Sequence, residues 1–192
     1  MLLLAIVLIA LVTAAPAQLA APVIVVFETE KGAIEIEVDV ARAPLTAANF
    51  LRYVDGGFYD GGRFHRAVRP DTETNKDVPI QVIQASRARG RQGFGPIVLE
   101  RTSQTKLSHK DGVVSMARSA SPDSAASDFF ICLGDQPALD FGGKRNPDGQ
   151  GFAAFGRVVK GMDVVKAIQA SPVRPGSQAL EPAIGIVKAG RR

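Results

Sequence analysis

The sequence predicts a mainly β domain of antiparallel strands with two short helices. Short apolar runs of strand length recur along the chain, and turn residues separate them. Only two segments have the 3.6-residue apolar spacing of a helix. The chain has 192 residues, 46% of them apolar and 22% charged, which is enough for one domain with a sizeable core. This pattern alone does not separate a closed barrel from a two-sheet sandwich.

Residues 1–21 are interpreted as a signal peptide or an N-terminal anchor. Residues 2–12 form an apolar run of signal-peptide length, too short to span a bilayer comfortably. Ala15-Pro16-Ala17 has the small-x-small form of a cleavage site, so we predict cleavage near Ala17. No Lys or Arg precedes the run, and apolar residues continue to Phe27, which leaves an uncleaved membrane anchor open. A cleaved signal peptide and an uncleaved anchor both predict an exported protein, in the periplasm or another secretory compartment.

The first half of the remaining chain predicts a hairpin followed by a helix. Residues 23–29 and 33–40 predict two strands around a Glu-Lys-Gly turn, and apolar residues alternate with acidic ones in the second strand. Pro44 predicts the start of a helix with an apolar stripe at i, i+3, i+4 and i+7. Gly56 and Gly57 predict its end, where a left-handed residue is needed.

Six further strands and a second short helix complete the prediction. Polar or glycine-rich segments without periodicity, such as residues 70–79, 87–96 and 137–151, predict connecting loops. The strands are expected around Arg66 and at residues 80–84, 112–116, 129–133, 152–159 and 183–188, with the helix at 162–169.

Arg66 is the strongest candidate for a functional side chain. It follows a Gly-Gly turn in a strand-like run, Phe64-His65-Arg66-Ala67-Val68. With a period of two, Phe64, Arg66 and Val68 share one face, which places a guanidinium among apolar residues. An arginine in that position either extends its charge to water or serves a ligand.

Five motifs that follow one another along the chain suggest a family. They are Phe64-His65-Arg66, Ser115-Met116-Ala117-Arg118, Ser127-Asp128-Phe129-Phe130-Ile131-Cys132, Ala138-Leu139-Asp140 and Gly151-Phe152-Ala153-Ala154-Phe155-Gly156-Arg157-Val158. In this order and spacing the chain resembles the cyclophilin family of peptidyl-prolyl cis-trans isomerases, from about Val23 to about Lys188. The resemblance implies a closed eight-stranded antiparallel barrel capped by two helices, an isomerase domain that we expect over residues 22–189.

The resemblance also implies a function and a site. The expected reaction is rotation about X-Pro bonds in unfolded or folding exported proteins, with Arg66 as the catalytic residue. A guanidinium suits this reaction because it stays protonated and can donate to the prolyl nitrogen in the twisted state. The substrate-binding residues implied by the family pattern are Phe64, Gln84, Met116, Ala117, Phe130, Leu139 and Phe152. No cofactor is expected, and the protein is expected to be a monomer.

The rim of the expected groove departs from the family pattern. Gln81 stands where many members have a phenylalanine, and Phe152 where histidine or tyrosine is common. Arg118 and Asp128 replace an asparagine and a glutamine, and Ala138 replaces a tryptophan or phenylalanine. The segment between Val68 and Ile80 is also longer than usual. These departures bear on substrate preference, rate and cyclosporin sensitivity more than on reaction type.

Other residues exclude several classes of function. Cys132 is the only cysteine and lies in an apolar run, so no intramolecular disulfide forms and a buried hydrophobe is expected. The two histidines, His65 and His109, have no third ligand at useful spacing, so no metal site is expected. The basic run from Arg87 to Arg91 has no interleaved aromatics, and with a net charge of only +4 it indicates a solvated loop rather than a nucleic-acid site.

Two alternative functions stay open on the sequence. The first is a non-catalytic module or holding chaperone that binds proline peptides on the same fold, which the altered rim would suit. The second is a serine hydrolase that uses Ser108 or Ser115 with His109, although no Gly-x-Ser-x-Gly motif is present.

Overall fold

A computed structural model describes residues 22–192, and the predicted N-terminal leader therefore lies outside the described residues. Eight strands and three α-helices make up this part of the chain. The strands are β1 Val23–Thr29, β2 Gly32–Val38, β3 Arg63–Val68, β4 Val82–Ser86, β5 Val113–Met116, β6 Phe129–Cys132, β7 Ala154–Lys160 and β8 Ala179–Arg191. The helices are α1 Pro44–Asp55, α2 Thr102–Thr105 and α3 Met162–Gln169.

The eight strands close into a barrel in the order β1-β2-β7-β5-β6-β4-β3-β8, with β8 returning to β1. All the pairings are antiparallel. The fold class predicted from the resemblance is thus confirmed, together with the two longer helices. The single turn α2 was not predicted, because one turn is too short to show a helical period.

The barrel interior is filled largely by aromatic rings. Phe27 lies with its ring centroid 5.4 Å from Tyr59 and 5.3 Å from Phe129. Phe50 from α1 contacts Phe155 at 4.7 Å, so α1 packs its apolar stripe against this core. Each such ring, when fully buried, contributes roughly 1.5–3 kcal/mol to folding.

A second apolar cluster lies on the outer face of β3, β4 and β6. Strand alternation creates it: Val82 and Phe130 point outward, while their neighbours Ile83 and Phe129 belong to the interior core. The cluster consists of Val68, Ile80, Val82, Phe130, Cys132 and Leu139, with Ala117 and Phe152 packed against it. An outward-facing apolar cluster of this kind forms the floor of a groove.

A β-bulge at His65 changes which residues of β3 share a face. Phe64 pairs with Ala85 and Arg66 pairs with Gln84, so two steps along β3 match one step along β4. Phe64 is therefore fully buried in the interior core, whereas Arg66 lies on the outer face with Gln84. The expectations that Phe64 shares a face with Arg66 and that Phe64 binds the substrate are corrected, because the extra residue breaks the period of two.

Candidate active site

A groove with a volume of about 220 Å³ lies over the outer apolar cluster. Arg66, Gln84 and Phe130 form one row across its floor, because Arg66 pairs with Gln84 on β4 and Gln84 pairs with Phe130 on β6. Six of the eight residues assigned to the site from the sequence line this groove: Arg66, Gln84, Ala117, Phe130, Leu139 and Phe152.

Met116 and Phe64 are the two assigned residues that do not line the groove. The Met116 side chain belongs to the interior core, and its residue is 1% exposed. The family pattern implies that Met116 and Ala117 pair with the peptide through their backbone. Their N–H groups already donate to the carbonyls of Ala153 and Asp128, so only their carbonyl oxygens are left for a substrate.

The guanidinium of Arg66 is held by two glutamine side chains. Its Nε and Nη2 donate to Oε1 of Gln178 at 2.9 and 2.7 Å, and its Nη1 donates to Oε1 of Gln84 at 3.0 Å. Gln178 in turn donates to the carbonyl of Thr72 at 3.1 Å, which fixes its amide orientation. Within residues 22–192 these bonds engage three of the five N–H groups of the arginine and leave two for a ligand.

The charge of Arg66 is not neutralised by its partners. Both are neutral amides, and among residues 22–192 Arg66 forms no ion pair with a carboxylate. Burial is the main cause that lowers the pKa of Arg66, and the positive charge of Arg145 adds to it, while Glu73 acts in the opposite direction. An arginine remains protonated at neutral pH, so the groove presents a fixed cation beside an apolar surface.

The apolar side of the groove is built around Phe130. Phe152 packs edge-on against Phe130 with centroids 5.4 Å apart, and Leu139 is 1% exposed beside them. Behind Phe130 the ring of His109 stacks at 5.9 Å with an interplanar angle of 16°. The groove therefore offers a prolyl ring a preformed aromatic and aliphatic surface.

His109 also forms a hydrogen-bonded chain with an aspartate and a serine. Its Nδ1 lies 2.7 Å from Oδ1 of Asp140 and its Nε2 lies 2.9 Å from Oγ of Ser115. This order of groups resembles a hydrolase triad. Ser115, however, is fully buried and His109 is 1% exposed, so a substrate carbonyl cannot reach the hydroxyl. These hydrogen bonds instead fix the His109 ring behind Phe130. The geometry does not support a hydrolase.

The long segment between Val68 and Ile80 provides a buried carboxylate that the sequence analysis did not identify. Glu73 is 3% exposed and accepts hydrogen bonds from Arg145 at 2.9 and 3.3 Å. Burial alone would raise the pKa of Glu73, but the backbone N–H groups of Asn75 and Ile80, with Arg145, bring it below its ordinary value. Arg145 lines the groove, so this ion pair joins two loops at the groove wall.

Two of the other departures from the family pattern, Arg118 and Asp128, lie in or beside the groove. Arg118 lines the groove and is held by Asp148 at 2.9 Å and by the carbonyl of Gly151 at 2.8 Å. Asp128 lies in the adjoining cavities, and burial is the main cause that raises its pKa. Gln81 does not line the groove, where Ile80 and Val82 supply the apolar lining on that side.

Among residues 22–192, no group of three or more His, Cys, Asp or Glu side chains is placed to hold a metal ion. None of the helices described there is long and apolar enough to cross a bilayer. Cys132 is buried, and burial raises the pKa of its thiol.

Known proteins resemble this chain over most of its length. A family model described as cyclophilin type peptidyl-prolyl cis-trans isomerase/CLD matches residues 24–191. The peptidyl-prolyl cis-trans isomerase cyp18 of Streptomyces antibioticus is 36% identical over 157 residues, which cover 78% of this chain and 83% of that protein. The peptidyl-prolyl cis-trans isomerase A of Dickeya dadantii (strain 3937) is 35% identical over 147 residues, which cover 75% and 70%.

A solved structure shows the same fold. The crystal structure of a Cryptosporidium parvum cyclophilin type peptidyl-prolyl cis-trans isomerase, in the presence of the dipeptide Ala-Pro, superposes with a TM-score of 0.70. The two chains are 21% identical, and the match covers 88% of this chain and 98% of the other.

Proposed function

The chain belongs to the cyclophilin-type peptidyl-prolyl cis-trans isomerases, and we propose that it rotates X-Pro bonds in proteins that fold after export. Isomerase activity itself follows from the family. The client class and the compartment are supported by the apolar run at residues 2–12 and the small residues around Ala17. The proposed ligand, a proline-containing segment, is supported by the Cryptosporidium parvum relative, which was crystallised in the presence of the dipeptide Ala-Pro.

The chemical problem is the double-bond character of the amide. Rotation about a peptide bond has a barrier of roughly 18–20 kcal/mol, because the nitrogen lone pair is delocalised into the carbonyl. Before proline the two planar forms have similar energies but exchange in about tens to hundreds of seconds. A catalyst must therefore stabilise the twisted state more than either planar state.

Arg66 supplies that differential stabilisation. In the twisted amide the nitrogen lone pair is localised and accepts a hydrogen bond, whereas in the planar amide it is not available. A hydrogen bond to a charged donor contributes roughly 1.5–3 kcal/mol, which corresponds to about tenfold to a hundredfold in rate. Gln84 and Gln178 hold the donor in place, so little reorganisation is needed when the bond twists.

The apolar surface around Phe130 contributes a second effect. It receives the prolyl ring and excludes water from the amide beside it. The planar amide is the more polar form, so it loses more on leaving water than the twisted form does. No nucleophile, metal or cofactor takes part in this scheme.

One observation carries the assignment of the catalytic residue. Arg66 is a cation held by neutral acceptors, keeps two unengaged donors and lines an apolar groove of about 220 Å³. The alternative of a module that only binds proline peptides uses the same groove. A protease-coupled isomerisation assay on a proline tetrapeptide distinguishes the isomerase from the binding module. Binding of the same peptide is measured in parallel by calorimetry. Binding without measurable acceleration would favour the binding module.

Export has its own test. We expect a mature protein that begins near Gln18, because Ala15-Pro16-Ala17 has the form of a cleavage site. N-terminal sequencing of the protein from its native host measures this directly. An intact Met1 on a membrane-bound product would replace secretion with anchoring, and an intact Met1 on a cytoplasmic product would contradict export.

A further inference from the structure

A second cavity, with a volume of about 480 Å³, lies beside the isomerase groove. Its walls come from the start of β3, the loop after β4 and the segment before β6. The side chains that define its chemistry are Arg63, His65, Arg87, Arg89 and Asp128. None of them acts in the isomerisation scheme above, and we name this space the basic cavity.

The basic cavity carries an excess of positive charge. The guanidinium groups of Arg63 and Arg89 form no hydrogen bond or ion pair with any residue in 22–192. Arg87 donates to the carbonyls of Ala88 and Arg91 at 3.0 and 2.6 Å and has no carboxylate partner in the same range. Burial lowers the pKa of His65, so it is neutral at pH 7. Three cations therefore face a single carboxylate.

Arginines elsewhere on the barrel surface are mostly compensated. Arg157 pairs with Glu37 at 3.2 Å and Arg174 pairs with Glu181 at 3.2 Å. Within residues 22–192, the three arginines of the basic cavity have no such carboxylate partner. A cluster of unpaired arginines is suited to bind carboxylates, because guanidinium groups match carboxylate geometry and lose little hydration on pairing.

The basic cavity is linked to the isomerase groove by an intervening cavity. A cavity of about 290 Å³ lies between them; it shares Ser127 and Asp128 with the basic cavity and Gln84 with the groove. Arg63 and Arg66 pair with Ser86 and Gln84 on β4, so with the bulge at His65 they lie two register steps apart, a distance of about 7 Å at 3.3 Å per step. An extended peptide advances at the same rate, so a residue about two positions from its proline would reach the basic cavity.

We propose that the basic cavity is a subsite of the isomerase groove that binds an acidic side chain of the client peptide, about two residues from the proline. This inference rests on the proposed function, because it takes the proline to lie beside Arg66. It identifies the preferred clients as chains with Asp or Glu near an X-Pro bond. The expected gain is about three- to tenfold in kcat/KM for Glu over Gln, as for partly exposed ion pairs with more than one cation.

The test compares matched peptides in the isomerisation assay. Four peptides carry Glu or Gln two residues before or two residues after the same proline. We expect the three- to tenfold preference for Glu in one of the two series. It should fall towards one at about 1 M salt, where the Debye length is roughly 3 Å. Equal kcat/KM for Glu and Gln in both series at low salt would overturn the inference.

Matched variants locate the effect. Arg63→Gln combined with Arg89→Gln should bring the Glu-to-Gln ratio close to one. Arg174→Gln, which removes an exposed charge outside the two cavities, should leave the ratio unchanged. A ratio that survives the double variant would overturn the assignment to these arginines.

The isomerase function is tested separately by turnover of the Gln peptides. If no peptide is turned over, the isomerase function fails, and the Glu-to-Gln ratio of Kd measured by calorimetry still decides whether the subsite exists.

Discussion

Replacing Gln178 with leucine tests whether Arg66 must be held in one orientation. Gln178 accepts two of the three hydrogen bonds that Arg66 makes to other side chains, at 2.9 and 2.7 Å. Leucine is close to glutamine in size but accepts no hydrogen bond, so only Gln84 would still hold the guanidinium. A hydrogen bond to a charged group contributes roughly 1.5–3 kcal/mol. If about half of the lower value of roughly 1.5 kcal/mol serves to orient Arg66, kcat/KM should fall by about three- to fourfold. If the full value of roughly 1.5 kcal/mol serves that purpose, kcat/KM should fall by about tenfold.

The assay is protease-coupled isomerisation of a neutral proline tetrapeptide, with calorimetric binding of the same peptide. We expect the loss in kcat/KM with little change in Kd, because the clamp acts on a bond made only in the twisted state. Gln104→Leu is the matched control, since Gln104 is an exposed glutamine on α2 that accepts only from the backbone of Arg101. A folded Gln178→Leu variant with unchanged kcat/KM would refute the reasoning that orientation of Arg66 matters.

Three further predictions concern the groove wall, the rim and the core. Glu73→Gln should lower the free energy of unfolding by about 3 kcal/mol at pH 7, because it removes the buried carboxylate that pairs with the partly buried guanidinium of Arg145. The folded pKa of Glu73 is lowered, so this difference should persist above about pH 4.5 and narrow as the pH falls through that lowered value; a difference constant down to pH 2 in urea melts would contradict the ion pair. Ala138→Trp should strengthen the weak cyclosporin binding expected of this chain, and tight calorimetric binding by the unaltered protein would contradict that assignment of the loop before Leu139. The Cys132 thiol should resist maleimide at neutral pH until the protein unfolds, because burial raises its pKa; rapid labelling of the native protein would contradict its burial.

The strands and long helices could be predicted because local pattern decides them. The alternation in β2 and the apolar stripe of α1 each record one buried face. The predicted end of α1 follows from Gly57, whose φ of 62° is the left-handed conformation that a glycine adopts without strain. β8 extends from Ala179 to Arg191, well beyond the six residues predicted, because Pro182 and Gly185 obscure its period.

The bulge at His65 could not be predicted from a period of two. Bulges depend on which residues of the neighbouring strand are paired, and no local signal marks them. The sequence placed Phe64 and Arg66 on one face, whereas the bulge sends Phe64 into the core. Groove residues named through the family resemblance, such as Phe130 and Leu139, do lie together.

The clamp and the ion pair at the groove wall depend on distant residues. Gln178 lies 112 positions from Arg66, and Arg145 lies 72 positions from Glu73. Gln178, Arg145 and Glu73 all come from segments without periodicity, for which the sequence pattern predicts only a loop. Only the closure of the barrel and the packing of its loops bring them together.

The most direct test of the central claim is the activity of Arg66 variants. We expect Arg66→Ala to lower kcat/KM by about tenfold to a hundredfold. This is the rate effect of losing one hydrogen bond from a charged donor, which contributes roughly 1.5–3 kcal/mol. Arg66→Lys should not restore activity, because a flexible ammonium cannot reproduce the fork held by Gln84 and Gln178. Binding of a ground-state proline peptide and the melting temperature should change little. Unchanged isomerisation by a folded Arg66→Ala variant would contradict the claim that Arg66 stabilises the twisted bond.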